Sequence, residues 1–158
     1  MVTNMNDNFA CFILTYGRPQ NINTLRSLKN SGYNGKIFLL CSDDDKKLEE
    51  YKQLHENVIV FNKRDMLGTF DKMDNFGNEK CVVYARNKCF DVAKYLGIDY
   101  FCMLDDDYTT FSYSEDNNGN YIGNKKIKNI NKIFEYMVEF IKNTTVKTVC
   151  FAQGGDFI

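Results

Sequence analysis

Tryptophan is absent from this chain, and proline and histidine occur once each, as Pro19 and His55. A single histidine argues against the histidine-containing ligand sets of zinc sites, and its place in a polar helix end predicts a surface residue. Cysteine is present six times, as Cys11, Cys41, Cys81, Cys89, Cys102 and Cys150, but no C-x-x-C occurs. Most of these residues fall inside apolar strand or helix patterns, which suits reduced core thiols better than a disulfide framework. Neither sign of charge dominates: 20 basic and 21 acidic residues leave a net charge of −1. A global basic field that holds nucleic acid by its phosphates is therefore excluded, although a local basic patch around Lys125, Lys126 and Lys128 is compatible with this balance. No apolar run approaches the roughly 20 residues that cross a bilayer. Met1 to Asn8 is polar and has no apolar h-region, so a cytoplasmic protein is expected. Repeats and low-complexity linkers are also lacking. What remains is a chain of 158 residues, 44% hydrophobic and 15% aromatic, enough for the core of one domain spanning residues 1–158.

Five short apolar runs read as strands: Phe9–Leu14, Lys36–Cys41, Val58–Phe61, Tyr100–Leu104 and Val146–Phe151. Their continuous apolar character predicts burial on both faces, as in a parallel sheet. Helical stripes lie between most of them. Ile22, Leu25 and Leu28 form one that ends at Gly32, and Leu48, Tyr51 and Leu54 form a second. A longer helix is expected over about Glu79–Leu96 with Gly97 as its C-cap. The last stripe is Ile127, Ile130, Phe134, Met137 and Ile141. Such alternation predicts a three-layer α/β fold with right-handed crossovers. Asn117-Asn118-Gly119-Asn120 between Phe111-Ser112-Tyr113 and Tyr121-Ile122 predicts a small β-hairpin insertion. Gly154-Gly155-Asp156-Phe157-Ile158 ends the chain without a polar tail, which suggests a domain truncated at its C-terminus.

The chemistry concentrates at strand ends. Asp105-Asp106-Asp107 follows the fourth apolar run directly. Like charges this close repel and call for a positive partner, and carboxylate oxygens suit hard cations such as Mg²⁺, Mn²⁺ or Ca²⁺. Open α/β sheets bind ligands at the carboxyl ends of their strands; the alternative is a solvated acidic turn. Thr15-Tyr16-Gly17-Arg18-Pro19 follows the first strand, where glycine allows close backbone approach, a helix N-terminus favours anions, and Arg18 suits a phosphate or a base carbonyl. The alternative is an ordinary turn with Pro19 in the first helical position. Asp43 and Asp44, after the second strand, could bind a ribose hydroxyl or a base N–H, or could cap the next helix. Arg86 lies at helical spacing beside an apolar face and wants an anionic partner, such as a diphosphate or the aspartates themselves, unless it snorkels to solvent. Asp156, after two glycines, is a candidate general base or a turn aspartate.

Asp105-Asp106-Asp107-Tyr108-Thr109 fits the D-x-D-x-T pattern of haloacid-dehalogenase-type phosphatases. There, however, the motif ends the first strand, whereas here four strand and helix units precede it. The same residues fit the D-x-D of GT-A-fold glycosyltransferases, in the order Thr15–Pro19, Ser42-Asp43-Asp44, Arg86, Asp105–Asp107. Longer strings sharpen the likeness: Phe12–Pro19, Ser31-Gly32-Tyr33-Asn34-Gly35-Lys36-Ile37, Asp74-Asn75-Phe76-Gly77, Val83-Tyr84-Ala85-Arg86-Asn87 and Leu104–Tyr108. Over nearly all of Phe9–Ile158 the chain resembles the TET-associated glycosyltransferases, phage and prophage enzymes thought to add sugars to hydroxymethylated DNA bases. The resemblance implies a Rossmann-like GT-A three-layer sandwich with a mostly parallel sheet. It also implies a nucleotide-diphosphate-sugar donor, most often a UDP-sugar, with Mn²⁺ or Mg²⁺, and modified DNA as acceptor in a bacterial or phage-infected cytoplasm. By the same resemblance Thr15, Gly17 and Arg18 contact the nucleotide and Asp43 or Asp44 faces the base or ribose. Arg86 pairs with the diphosphate, Asp105 and Asp107 hold the metal and ribose, Asp106 counts with Asp105 among the cofactor-binding residues, and Gln153–Asp156 begins the acceptor side. Non-enzymatic donor binding by a truncated remnant is the second reading, and a sugar nucleotidyltransferase the third; the latter's glycine-rich first loop is missing from Thr15–Pro19.

Overall fold

A computed structural model of the protein describes residues 8–71, 78 and 81–152. Its main body is a four-stranded parallel sheet built from β1 (Phe9–Leu14), β2 (Lys36–Ser42), β3 (Val58–Phe61) and β4 (Tyr100–Asp105), in the spatial order β3-β2-β1-β4. The helices are α1 (Asn23–Asn30), α2 (Leu48–Leu54), α3 (Val83–Leu96) and α4 (Ile130–Asn143). This is the α/β, Rossmann-like architecture expected from the alternation of strands and helices.

Every residue of β1 is buried because the strand is central and covered on both faces. Alternate side chains serve opposite layers. Phe9, Cys11 and Ile13 pack with Leu28 of α1, Tyr51 of α2, and Ile130, Phe134 and Val138 of α4. Ala10, Phe12 and Leu14 pack with Cys89, Val92 and Ala93 of α3. Burying one such large apolar side chain contributes on the order of 1.5–3 kcal/mol, so β1 anchors all three layers. Gly97 caps α3 in the left-handed region at φ 66°, as the sequence predicts.

A short antiparallel hairpin, β5 (Ser112–Glu115) and β6 (Tyr121–Lys126), follows β4. Its turn is organised by Asp116, whose Oδ1 accepts the Asn118 and Asn120 backbone N–H groups at 2.8 and 2.9 Å.

Two local expectations, and one of the alternatives, need correction. Val146–Phe151 is not a strand, and its backbone joins no sheet ladder among the described residues. The run is interrupted by Lys147 and Thr148, and it is held instead by Phe151, whose ring lies 5.5 Å from Phe111 and 6.0 Å from Phe134. Pro19 is not in the first turn of a helix. The Asn21 N–H donates to the Arg18 carbonyl at 3.0 Å, which puts Pro19 at the second position of a β-turn, where its fixed φ is favoured, and α1 begins only at Asn23. His55 is half-buried rather than a free surface residue, its Nε2 donating to the Pro19 carbonyl at 2.8 Å. All six cysteines are unpaired; Cys11, Cys41 and Cys89 are buried, Cys81 and Cys102 are half-buried, and Cys150 is exposed.

Candidate functional site

The strand order creates the site. The chain steps outward from β1 to β2 to β3 and then returns to the other side of β1 with β4. The carboxyl ends of β1 and β4 therefore flank a topological switch point, the place where open α/β sheets leave a ligand crevice. Leu14 of β1 is in register with Asp105 of β4, so the next residues, Thr15 and Asp106, emerge side by side. A cleft of about 360 Å³ opens there, lined among others by Thr15, Tyr16, Arg18, Lys63, Asp105 and Asp107. That volume lies in the range of small-ligand pockets.

The three consecutive aspartates have different surroundings. Asp106 is buried, at 5% exposure. Its Oδ2 accepts the Thr15 hydroxyl at 2.7 Å and meets Arg18 Nε at 3.1 Å. Asp105 is half-buried, and Arg86 of α3 reaches its Oδ1 and Oδ2 at 3.4 and 3.3 Å. Asp107 is exposed on the cleft wall. The backbone of this turn is fixed by α1: the Thr24 N–H donates to the Asp106 carbonyl at 3.2 Å and the Thr24 hydroxyl to the Asp105 carbonyl at 2.5 Å. One turn later the Ser27 hydroxyl donates to the Tyr108 carbonyl at 2.8 Å. Part of the α1 N-terminus expected to meet an anion is thus already used by carbonyls of the aspartate turn.

A closed ring of hydrogen bonds positions the first loop. Thr15 has one hydroxyl proton, and the ionised Asp106 carboxylate can only accept it. The 2.7 Å contact between Thr15 and Tyr51 must then have the tyrosine hydroxyl as donor. Tyr51 in turn accepts the Arg18 backbone N–H at 3.0 Å, and Arg18 closes the ring through Nε on Asp106. Tyr51 is fully buried. Burial pushes its pKa up from the ordinary value against the pull of Thr15 and the Arg18 N–H, which suits its role as a donor. Beside this ring, buried Asp45 accepts the Gly17 N–H at 2.7 Å through Oδ2 and the Lys47 N–H at 2.8 Å through Oδ1. Gly17 itself adopts φ 75°, a conformation that suits glycine.

The residues expected at the second strand's end also gather here. Asp44 Oδ2 lies 3.1 Å from Lys63 Nζ, and Asp43 Oδ1 accepts the Lys63 N–H at 3.4 Å. Lys63 follows β3 and has a side chain only 11% exposed. Its ammonium stands 5.4 Å above the Tyr16 ring, within cation–π reach. Thr15, Gly17, Arg18, Asp43, Asp44, Arg86, Asp105, Asp106 and Asp107 thus lie at or beside one cleft. Asp156 and Asp74–Gly77 lie outside the described residues. Among the described residues no group of three or more histidine, cysteine or acidic side chains is poised around a common point. No described helix is long and apolar enough to cross a membrane.

Sequence reasoning missed Tyr51, Asp45 and Lys63. Tyr51 reads as one member of an apolar helical stripe, and Asp45 is simply the next aspartate after the Asp43-Asp44 pair. A basic residue two positions after the end of β3, near the acidic end of β2, was an available signal for Lys63. No curated protein and no solved structure matches the chain. The family model described as TET-Associated Glycosyltransferase matches it over residues 9–158.

Proposed function

The chain belongs to the TET-associated glycosyltransferase family, and from that premise we propose that its cleft binds a nucleotide-diphosphate sugar, a UDP-sugar by preference, for transfer to a hydroxyl of modified DNA. The observation that carries this reading is that Arg18, Asp105 and Asp107 line one crevice at the sheet's switch point, with Arg86 beside it on Asp105. Thr15, Gly17 and Arg18 form the loop against which the nucleotide lies, with Asp43 and Asp44 on its base and ribose side.

The donor set fits a hard divalent ion, Mn²⁺ or Mg²⁺. Such ions are commonly held by one or two protein carboxylates, the remaining positions being filled by substrate phosphates and water. Two carboxylates, Asp105 and Asp107, are what the cleft offers, while Asp106 is turned inward and already engaged. A bound ion there supplies Lewis acidity to the departing diphosphate. Arg86 holds Asp105 through a loose contact of 3.3 Å between side chains 51% and 39% exposed. Exposed pairs of this kind contribute little, so Arg86 is free to exchange Asp105 for a diphosphate oxygen and to stabilise charge as the bond to the sugar breaks. The acceptor hydroxyl attacks the anomeric carbon, with Asp156 as the base proposed from sequence.

A thermal-shift panel of UDP, GDP, CDP and ADP with Mn²⁺ tests the donor. A ligand at about 100 times its Kd adds roughly 2.7 kcal/mol to stability, a rise of several degrees. UDP should produce that rise and Arg86→Ala should reduce it. Equal indifference to all four nucleotides in a folded sample would sink the reading.

A further inference from the structure

A second, smaller pocket of about 210 Å³ lies beside the aspartate turn, lined by Ser27, Asn30, Ser31, Thr109, Thr110, Lys126, Ile127 and Lys128. Its composition is one-sided: two lysines, four hydroxyl residues, an amide and no acidic group, in a chain whose net charge is −1. Neither Lys126 nor Lys128 has an ion-pair partner among the described residues, and both are exposed. The end of a helix normally repels anions through its free carbonyls, but here three carbonyls of the last turn of α1, those of Ser27, Leu28 and Lys29, are used. Ser27 and Leu28 carbonyls accept the Ser31 N–H at 3.0 and 3.1 Å, Lys29 accepts Gly32, and the Ser31 carbonyl accepts the Ile130 N–H at 2.9 Å. The Gly32 carbonyl accepts Asn131 Nδ2 at 2.8 Å. Ser27 already donates its hydroxyl to the Tyr108 carbonyl, so the donors the lining adds are the two ammonium groups, the Asn30 amide and the Ser31, Thr109 and Thr110 hydroxyls.

The walls are also held in place. A Cβ on Gly32 would stand 2.6 Å from the Lys128 carbonyl oxygen, so the segment carrying the lysines abuts the end of α1. Thr109 follows Asp107 by two residues, a reach of at most about 7 Å of extended chain. The pocket therefore neighbours the cleft without sharing its residues.

We infer that this pocket is a phosphate-group site, taking an oxyanion of either a free phosphate or a phosphodiester through Lys126, Lys128 and the flanking hydroxyls. Compact ammonium charges beside hydroxyl donors suit phosphate as point-charge partners. The site needs neither donor nucleotide nor metal, so its failure leaves the glycosyl-transfer reading standing.

Backbone amide NMR on the full chain tests it, with inorganic phosphate and a short single-stranded oligonucleotide titrated separately without metal. Expected are shifts of the Thr109, Thr110, Ile127 and Lys128 amides, weakened about tenfold in affinity in Lys126→Ala/Lys128→Ala and restored in Lys126→Arg/Lys128→Arg, as charge-assisted contacts require. Comparable affinity for both probes identifies free phosphate as the ligand. Tighter oligonucleotide binding, with a log–log salt slope whose magnitude falls by about 1.4 in the alanine variant, identifies a phosphodiester. Unmoved amides with both probes, or identical shifts in the alanine variant, would overturn the assignment, and an unchanged melting response to UDP in that variant confirms that the cleft is intact.

Discussion

Asp105, Asp106 and Asp107 are identical in sequence and differ only in what the fold places around them. Asp106 meets a hydroxyl and a guanidinium in a buried site, whereas its neighbours face the cleft. The same logic applies to Tyr51, whose hydroxyl is the middle of the ring joining Arg18, Thr15 and Asp106. Tyr51→Phe keeps the ring's bulk but leaves the Arg18 N–H without its acceptor and Thr15 without a donor. Leaving buried polar groups unpaired costs about 1–3 kcal/mol, so chemical denaturation should show a loss in that range. Because Tyr51 positions Arg18 and Thr15, UDP affinity in the folded variant should also fall several-fold. A variant that loses stability but binds UDP as tightly as the wild type would show the ring to be structural only.

At the scale of elements, the junction of α1 with the segment entering α4 rests on one glycine. Gly32 has φ 79°, and a Cβ there would press on the Lys128 carbonyl. Gly32→Ala combines a strained backbone with a backbone collision, and a loss of about 2 kcal/mol or more is expected in thermal or urea unfolding. A neutral outcome would mean that the junction yields. Which elements could be read from the chain follows from the same physics. β1 was legible because a strand covered on both faces must be apolar throughout, and β4 because its apolar run pairs along β1, even though Met103 is exposed. The helix carrying Arg86 was legible because its spacing puts a cation beside an apolar face. Val146–Phe151 misled because an apolar run shows only that side chains can be buried, not that a free sheet edge receives the backbone. The Thr15–Tyr51–Asp106 ring was illegible because it joins residues 36 and 91 positions apart, and each alone has an ordinary local explanation: a strand end, a helical stripe, a member of an acidic run.

At the scale of the whole molecule, the absence of a dominant charge is matched by buried thiols that resist ionisation. Burial pushes Cys41 and Cys89 up to about 12 from 9.0. Both side chains are fully buried. In the unfolded chain these thiols lose their protons above about pH 9, while the folded chain keeps them. The folded state then binds more protons, so stability is intact below pH 9 and falls as pH rises toward 12, by about 1.4 kcal/mol per pH unit for each thiol. Urea midpoints measured from pH 8 to 10.5 should fall along this slope, and Cys89→Ala should make it shallower. A flat profile would contradict the burial assigned to these thiols.

The central claim is that the outer two aspartates serve the ligand while the middle one serves the fold. Calorimetric titration of UDP with and without Mn²⁺, paired with a melting curve for each protein, tests it most directly on wild type, Asp107→Ala and Asp106→Ala. The predicted result is metal-dependent binding in the wild type that Asp107→Ala abolishes with stability within about 0.5 kcal/mol of the parent, whereas Asp106→Ala costs about 1.5–3 kcal/mol of stability. Undiminished metal-dependent binding by Asp107→Ala, or an Asp106→Ala protein as stable as the wild type, would contradict it.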